Sequence, residues 1–168
     1  VLFFFSIQFI STSVAFWFNA PVEQTLDSSL AVGQKLYEYI EKSNEFYAKR
    51  ATFQIDSRKL LNKKNEKKLA RHSQVIQRAF NRHAVEIYTS DGRRVSLSLA
   101  NEVQNLHFGL LTSNELTGIP EGRNTRTISQ NIKEGEFLRT IAAIPFGTDP
   151  KKAQAFIVIT TLISPDLS

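Results

Sequence analysis

The stretch AVEIYTSDGRRVSLSL, residues 84–99, is where the hydrophobic period of this chain changes, and its reading decides the fold. Val85 and Ile87 alternate with Glu86 and Tyr88, and Val95, Leu97 and Leu99 alternate with Ser96 and Ser98. Between them, Ser90-Asp91-Gly92-Arg93 supplies turn chemistry. A period of two on either side of a tight turn predicts a β-hairpin.

Downstream the strand signals continue. Asn101 is placed to cap a short helix running to about Leu111, and Gly118-Ile119-Pro120-Glu121-Gly122 reads as a loop. Residues 124–131 alternate again, Lys133-Glu134-Gly135 turns the chain into a strand at 137–144, and Phe146-Gly147-Thr148-Asp149-Pro150 turns it into a last strand at 153–163. The core of that last strand, AFIVITTLI, is nearly all apolar, which predicts a central strand buried on both faces. Five short antiparallel strands with a helical insertion after the second predict an α+β arrangement with helices covering the sheet.

Upstream the period is helical. Val22, Leu26, Leu30, Gly33, Tyr37, Ile40, Tyr47, Ala51 and Ile55 recur mostly at steps of three and four, and no proline interrupts the run between Pro21 and Pro120. One long helix from 22 to near 61 is expected, with a hairpin broken at Ser43-Asn44 as the alternative. The next stretch also reads as helix, with Leu69, Val75 or Ile76, and Phe80 on one side. From Arg58 to Arg82 it carries nine Lys or Arg against the single acid Glu66. Aromatic interleaving and nucleic-acid motifs are absent there, so the patch is read as a solvated face and no nucleic-acid partner is expected.

The first 18 residues, VLFFFSIQFISTSVAFWF, carry no charge and are rich in phenylalanine. They reach the lower length limit for a membrane-spanning helix, and Trp17 suits the membrane interface. A signal peptide cleaved after Ser13-Val14-Ala15 and a buried core helix are the alternatives. At the other end, Ser164-Pro165-Asp166-Leu167-Ser168 has the chemistry of a helix start. The expected organisation is a membrane segment at 1–18, a long juxtamembrane helix and second helix at 19–82, a sheet domain at 83–164, and a helix toward a second span from 165. With no methionine in its 168 residues, the numbering is not expected to begin at a translation start.

Composition bounds the rest. A hydrophobic share of 42% and a charged share of 22% are those of a globular chain, and the absence of cysteine removes disulfides, thiolate metal sites and cysteine nucleophiles. The formal charge of +5 is concentrated in the basic patch. No G-x-S-x-G, Walker, H-E-x-x-H or G-x-G-x-x-G motif occurs, and His72, His83 and His107 lack metal-ligand spacing. The expectation is a binding or signalling module, with no enzyme activity, metal or cofactor in these residues.

The juxtamembrane run WFNAPVEQTLDSSL, residues 17–30, resembles the start of the sensor region of NtrY-type nitrogen-regulation histidine kinases. The hairpin around Ser90-Asp91-Gly92-Arg93 and the closing GEFLRTIAAIPF and AFIVITTLISPDL segments resemble the same region. The resemblance implies a PAS-like or Cache-like domain outside the cytoplasm, anchored in the inner membrane of a two-component sensor kinase. It also implies a homodimer through the long helix, with Leu30 and Tyr37 on the seam. Downstream it implies kinase regions using ATP and Mg in the parent protein. In such a layout the ligand lies between the sheet and the insertion after the second strand. That makes Tyr88, Ser96, His107, Arg126 and Arg139 candidate ligand contacts, and the two arginines suit a small anionic ligand. An input domain of a chemoreceptor or diguanylate cyclase, or an anchored enzyme with a carboxylate site, are the competing readings.

If residues 1–18 are a retained anchor, the full-length protein is expected to stay with the membrane fraction through carbonate and high-salt washes. Recovery as a soluble species cleaved after Ala15 is the contrary outcome.

Overall fold

The computed structural model describes residues 22–164, with side chains described from residue 33 onward. The expected membrane segment at 1–18 and the helix start at 165–168 lie outside the described residues. Among those described, no helix is long and apolar enough to cross a membrane.

Helix α1 runs over Val22–Ser57, 36 residues and so about 54 Å. Its inward stripe is Ile40, Asn44, Ala48, Ala51, Thr52 and Ile55, all buried, and the two alanines let the backbone lie close to the sheet. The helix ends without a glycine. Lys59 takes a left-handed conformation at φ 52, its N–H donates to the Asp56 carbonyl, and the Leu60 N–H donates to the Ile55 carbonyl. Leu60 and Ile55 both enter the core, which completes a Schellman stop.

After a 3₁₀ turn at Lys63–Asn65, helix α2 (Glu66–Ala79) returns along the sheet, burying Leu69, Ser73, Ile76 and Gln77. It stops in the same way, with Asn81 at φ 52 and the Arg82 N–H donating to the Gln77 carbonyl. The chain then enters the first strand two residues after Arg82, whose side chain reaches back to Asn44 on α1.

The strands are β1 (Ala84–Thr89), β2 (Arg94–Leu99), β3 (Thr125–Ile132), β4 (Gly135–Ile144) and β5 (Ala155–Ile163). They form one antiparallel sheet in the order β2-β1-β5-β4-β3, so the apolar last strand is the central one. Val85 and Ile87 of β1, Ala142 and Ile144 of β4, and Ala155, Ile157 and Ile159 of β5 face the helices and form the main core with them.

The opposite face is covered by the insertion between β2 and β3. Leu111, Leu116 and Ile119 pack on Tyr88, Ile141, Phe156 and Val158, while Val103 and Phe108 pack on Ala84 and Phe137. Phe108 and Phe137 stack with ring centroids 4.5 Å apart.

The insertion departs from the helix expected between Asn101 and Leu111. Only a 3₁₀ turn at Asn101–Val103 forms, followed by an irregular crossing. A short helix α3 (Ser113–Thr117) then starts at a capping box, in which Thr112 and Glu115 exchange side-chain and backbone hydrogen bonds. The crossing segment is instead held to the sheet, its Phe108 and Gly109 carbonyls accepting from the guanidinium groups of Arg94 and Arg139.

Candidate functional site

Glu86 sits on β1 between the helix-facing Val85 and Ile87, so its side chain points to the insertion side, where it is completely buried. Arg139 of β4 points to the same side from across the central strand and is 1% exposed. Its Nη2 donates to Glu86 Oε1 at 2.6 Å, and the second carboxylate oxygen accepts from Arg94 Nη1 at 3.0 Å and the Tyr88 hydroxyl at 2.8 Å.

Each partner of Glu86 also grips the insertion. Arg94 donates to the Phe108 carbonyl at 2.8 Å, Arg139 to the Gly109 carbonyl at 3.0 Å, and the Tyr88 oxygen accepts from the Leu111 N–H at 3.2 Å. One carboxylate thus organises three side chains that latch residues 108–111 to the sheet. Burial, and then the neighbouring Glu86 charge, push the Tyr88 hydroxyl above its ordinary pKa, keeping it a neutral donor. Arg139 Nε and Thr160 Oγ1 are buried without a hydrogen-bond partner.

The residues singled out from sequence divide by face. Tyr88 and Arg139 belong to the latch. Arg126 shares their face on the neighbouring strand, and its Nη1 donates to the Glu115 carbonyl at the C-terminal end of α3. Gly118 makes room for it, because a Cβ at that position would stand 2.2 Å from Arg126 Nη1. Ser96 pairs with Ile87 and lies on the helix side of the sheet, away from the other four. His107 is exposed on the crossing segment instead of on a helix.

The expected basic cavity would lie between Arg126 and Arg139 on the insertion side. A 490 Å³ cavity lies between α2 and β2, where Gln74, Gln77, Arg78, Asn101, Glu102 and Gln104 line it. One of 550 Å³ lies between the loops 117–123 and 147–151. A groove of 340 Å³ runs between α1 and the β3–β4 side of the sheet, lined by Gln34, Tyr37, Glu38, Glu41, Thr127, Ser129 and Leu138. Neither arginine lines any of the three.

Sequence reasoning passed over Glu86 because a polar residue alternating with Val85 and Ile87 reads as solvent-facing. It also passed over a second buried acid. Glu136 at the start of β4 is completely buried, and its Oε2 accepts from the hydroxyls of Tyr37 on α1 and Ser129 on β3. Its Oε1 has no hydrogen-bond partner. Burial pushes this carboxyl up to about 10, so it is neutral at physiological pH. Around it α1 is seated on the sheet by further polar contacts. Asn44 Nδ2 donates to Thr140 Oγ1, Asn44 Oδ1 accepts from Arg82 Nη1 and Thr161 Oγ1, and the Thr125 hydroxyl donates to Glu45.

No protein-family model matches the chain, and no curated protein matches it in sequence. Its fold has a solved counterpart, the ligand-binding domain of the Campylobacter jejuni chemoreceptor Tlp3 in complex with L-valine. The two superpose with a TM-score of 0.53 at 10% identity, over 93% of this chain and 62% of that one. The fold is therefore α+β, a long helix followed by a five-stranded antiparallel sheet, similar to the fold of that ligand-binding domain. The chain spans about three fifths of the length of that counterpart.

Two outcomes follow from the buried acids. Glu86→Gln is expected to cost about 3–5 kcal/mol of unfolding free energy in urea titrations, because it leaves Arg139 buried without its counter-charge. Adding Arg139→Met to it is expected to recover part of that loss.

Glu136→Gln is expected to behave oppositely. Between the ordinary carboxyl value of 4.5 and about 10, the unfolded chain has released a proton that the folded protein keeps. Wild-type stability therefore falls as pH rises through that window, by at most about 1.4 kcal/mol per pH unit. Melting curves from pH 5 to pH 9 should show the glutamine variant gaining steadily on the wild type, whereas a constant difference would remove the premise of a buried protonated acid.

Proposed function

We propose that this chain is the extracytoplasmic input domain of a membrane-bound sensor histidine kinase, in which α1 carries the state of the sheet domain toward the membrane. The observation that carries the reading is that α1 has two apolar faces. Tyr37, Ile40, Tyr47, Ala51 and Ile55, expected from sequence to include the dimer seam, are turned to the chain's own sheet. A separate stripe of Leu36, Tyr39, Phe46 and Phe53 points away from it, at 40%, 70%, 55% and 73% exposure.

Tyr39, Phe46 and Phe53 are spaced by heptads, the repeat that packs one helix against a parallel copy. The sheet-facing stripe reads the domain, and the outer stripe reads the partner. A shift at one face is thus delivered to the other along a rigid rod. The likeness in fold to a chemoreceptor ligand-binding domain supports a sensing role and equally favours a second reading, the input domain of a chemoreceptor. In either case the latch on the insertion side is the element that a small ligand would open or tighten. An anionic ligand at Arg126 and Arg139 would compete there with the Glu86 carboxylate.

The test uses the full-length parent in its own membrane. Cysteine at Phe46 is expected to crosslink two copies several-fold more efficiently than cysteine at Glu38, and the parent is expected to take phosphate from ATP onto a histidine. Equal crosslinking at the two positions would remove the signalling seam. A parent that lacks a phosphoacceptor histidine and continues into a long receptor-type coiled coil would decide for the chemoreceptor reading.

A further inference from the structure

The seam between α2 and β2 differs from the rest of the helix side. Where β1 and β5 present Val85, Ile87, Ile157 and Ile159 to the helices, the edge strand β2 presents Ser96 and Ser98, which pair with Ile87 and Val85 and share their face. Helix α2 answers with Ser73 and Gln77 beside its apolar Leu69 and Ile76. Burying polar groups costs free energy unless they are hydrogen-bonded. Ser73 meets that demand within its own helix, donating to the Leu69 carbonyl at 2.9 Å.

Gln77 and Ser98 line the 490 Å³ cavity that opens at this seam. Each is more than nine-tenths buried, at 7% and 5% exposure. Gln77 Nε2 donates to the Arg82 carbonyl at 2.8 Å, but its carboxamide oxygen has no hydrogen-bond partner among the described residues, and neither has the Ser98 hydroxyl. Around them Gln74, Asn81 and Asn101 bring three further carboxamides to the lining, none of them hydrogen-bonded among the described residues.

The charged side chains of the lining are one of each sign, Arg78 and Glu102, and neither is in an ion pair among the described residues. Glu102 acts on the neighbouring His83, but burial is the larger effect and lowers the pKa of that imidazole. A lining balanced in this way does not select an ion. A carboxamide offers a donor and an acceptor side by side, and two neighbouring hydroxyls complement that pair, since each hydroxyl both donates and accepts. Leu97 and Leu99 add an apolar ledge suited to the C–H face of a ring. The volume falls within the range of small-molecule sites.

We infer that the cavity between α2 and β2 is a binding site for a small neutral saccharide. The Ser98 hydroxyl and the Gln77 oxygen form its buried floor, and Gln74, Asn81 and Asn101 form its rim. Helix α2 lies on the face of the sheet opposite the latch, so this site is separate from the one considered above. It does not rest on the sensor reading: a failure of crosslinking leaves this site standing, and a failure here leaves the sensor reading standing.

The experiment is isothermal titration of the protein at pH 7 with glucose, galactose, N-acetylglucosamine and maltose, with glycine and propionate as zwitterionic and anionic controls. Saturable binding of at least one sugar is expected, and none of the controls. Ser98→Ala should weaken that binding about tenfold, the loss of roughly one hydrogen bond. It should leave the melting temperature unchanged, because the hydroxyl removed has no partner within the protein. Gln74→Trp, on the exposed rim, should abolish binding while the melting transition stays cooperative. Absence of binding by all four sugars, sugar binding that both variants leave intact, or binding of glycine that Arg78→Met abolishes, overturns the inference.

Discussion

The rest of this structure depends on a buried ion pair that bridges the central strand. Glu86 on β1 and Arg139 on β4 meet over β5 with both side chains out of water. In a low-dielectric interior, such a pair offsets its desolvation only when geometry is good and the remaining donors and acceptors are satisfied. Part of that satisfaction comes from the insertion, whose carbonyls at Phe108 and Gly109 take a donor from each of Arg94 and Arg139, while Arg139 Nε stays unpaired. The dependence is mutual. The arginines hold the insertion on the sheet, and its carbonyls take guanidinium donors that burial would otherwise leave without partners.

The two faces of the sheet are consequently held by different physics. On the helix side the main core is apolar and closely packed, with Ala48, Ala51 and Ile55 laid against Val85, Ile87 and Ile157. Polar contacts at Tyr37, Asn44 and Glu45 fix the register of α1 without matching its charges. On the insertion side, two charge-assisted hydrogen bonds from Arg94 and Arg139 and a neutral one from the Leu111 N–H to Tyr88 do the fastening. Packing on an apolar face is close and non-directional, whereas directional bonds to carbonyls are either made or broken. A domain built this way has a cover fastened by directional bonds on one side and a long helix seated by packing and by polar contacts on the other. That is a suitable division for a module that converts binding into displacement.

Much of this was legible in the residues. The change of period at Ala84, the turn at Ser90-Asp91-Gly92-Arg93 and the apolar AFIVITTLI run led to the hairpin, the five strands and the central place of β5, because alternation and continuous burial are local consequences of strand geometry. The unbroken three-and-four spacing after Pro21 led to the long helix for the same kind of reason. Both helix ends were harder to read, since Lys59 and Asn81 adopt the left-handed turn usually given to glycine.

What the sequence by itself determined, then, is the set of elements and the α+β class, since these follow from periodicities that each segment carries alone. What only the tertiary structure decided is which polar residues are buried and with whom. Glu86 and Glu136 look like ordinary strand acids until a second layer covers them. Arg139 looks like a free cation until Glu86 arrives from 53 residues away, and Tyr37 looks like a dimer seam until β3 and β4 claim it. Burial on the second face of a strand, and the matching or orphaning of a charge there, depend on segments far apart in the chain. No local pattern encodes them.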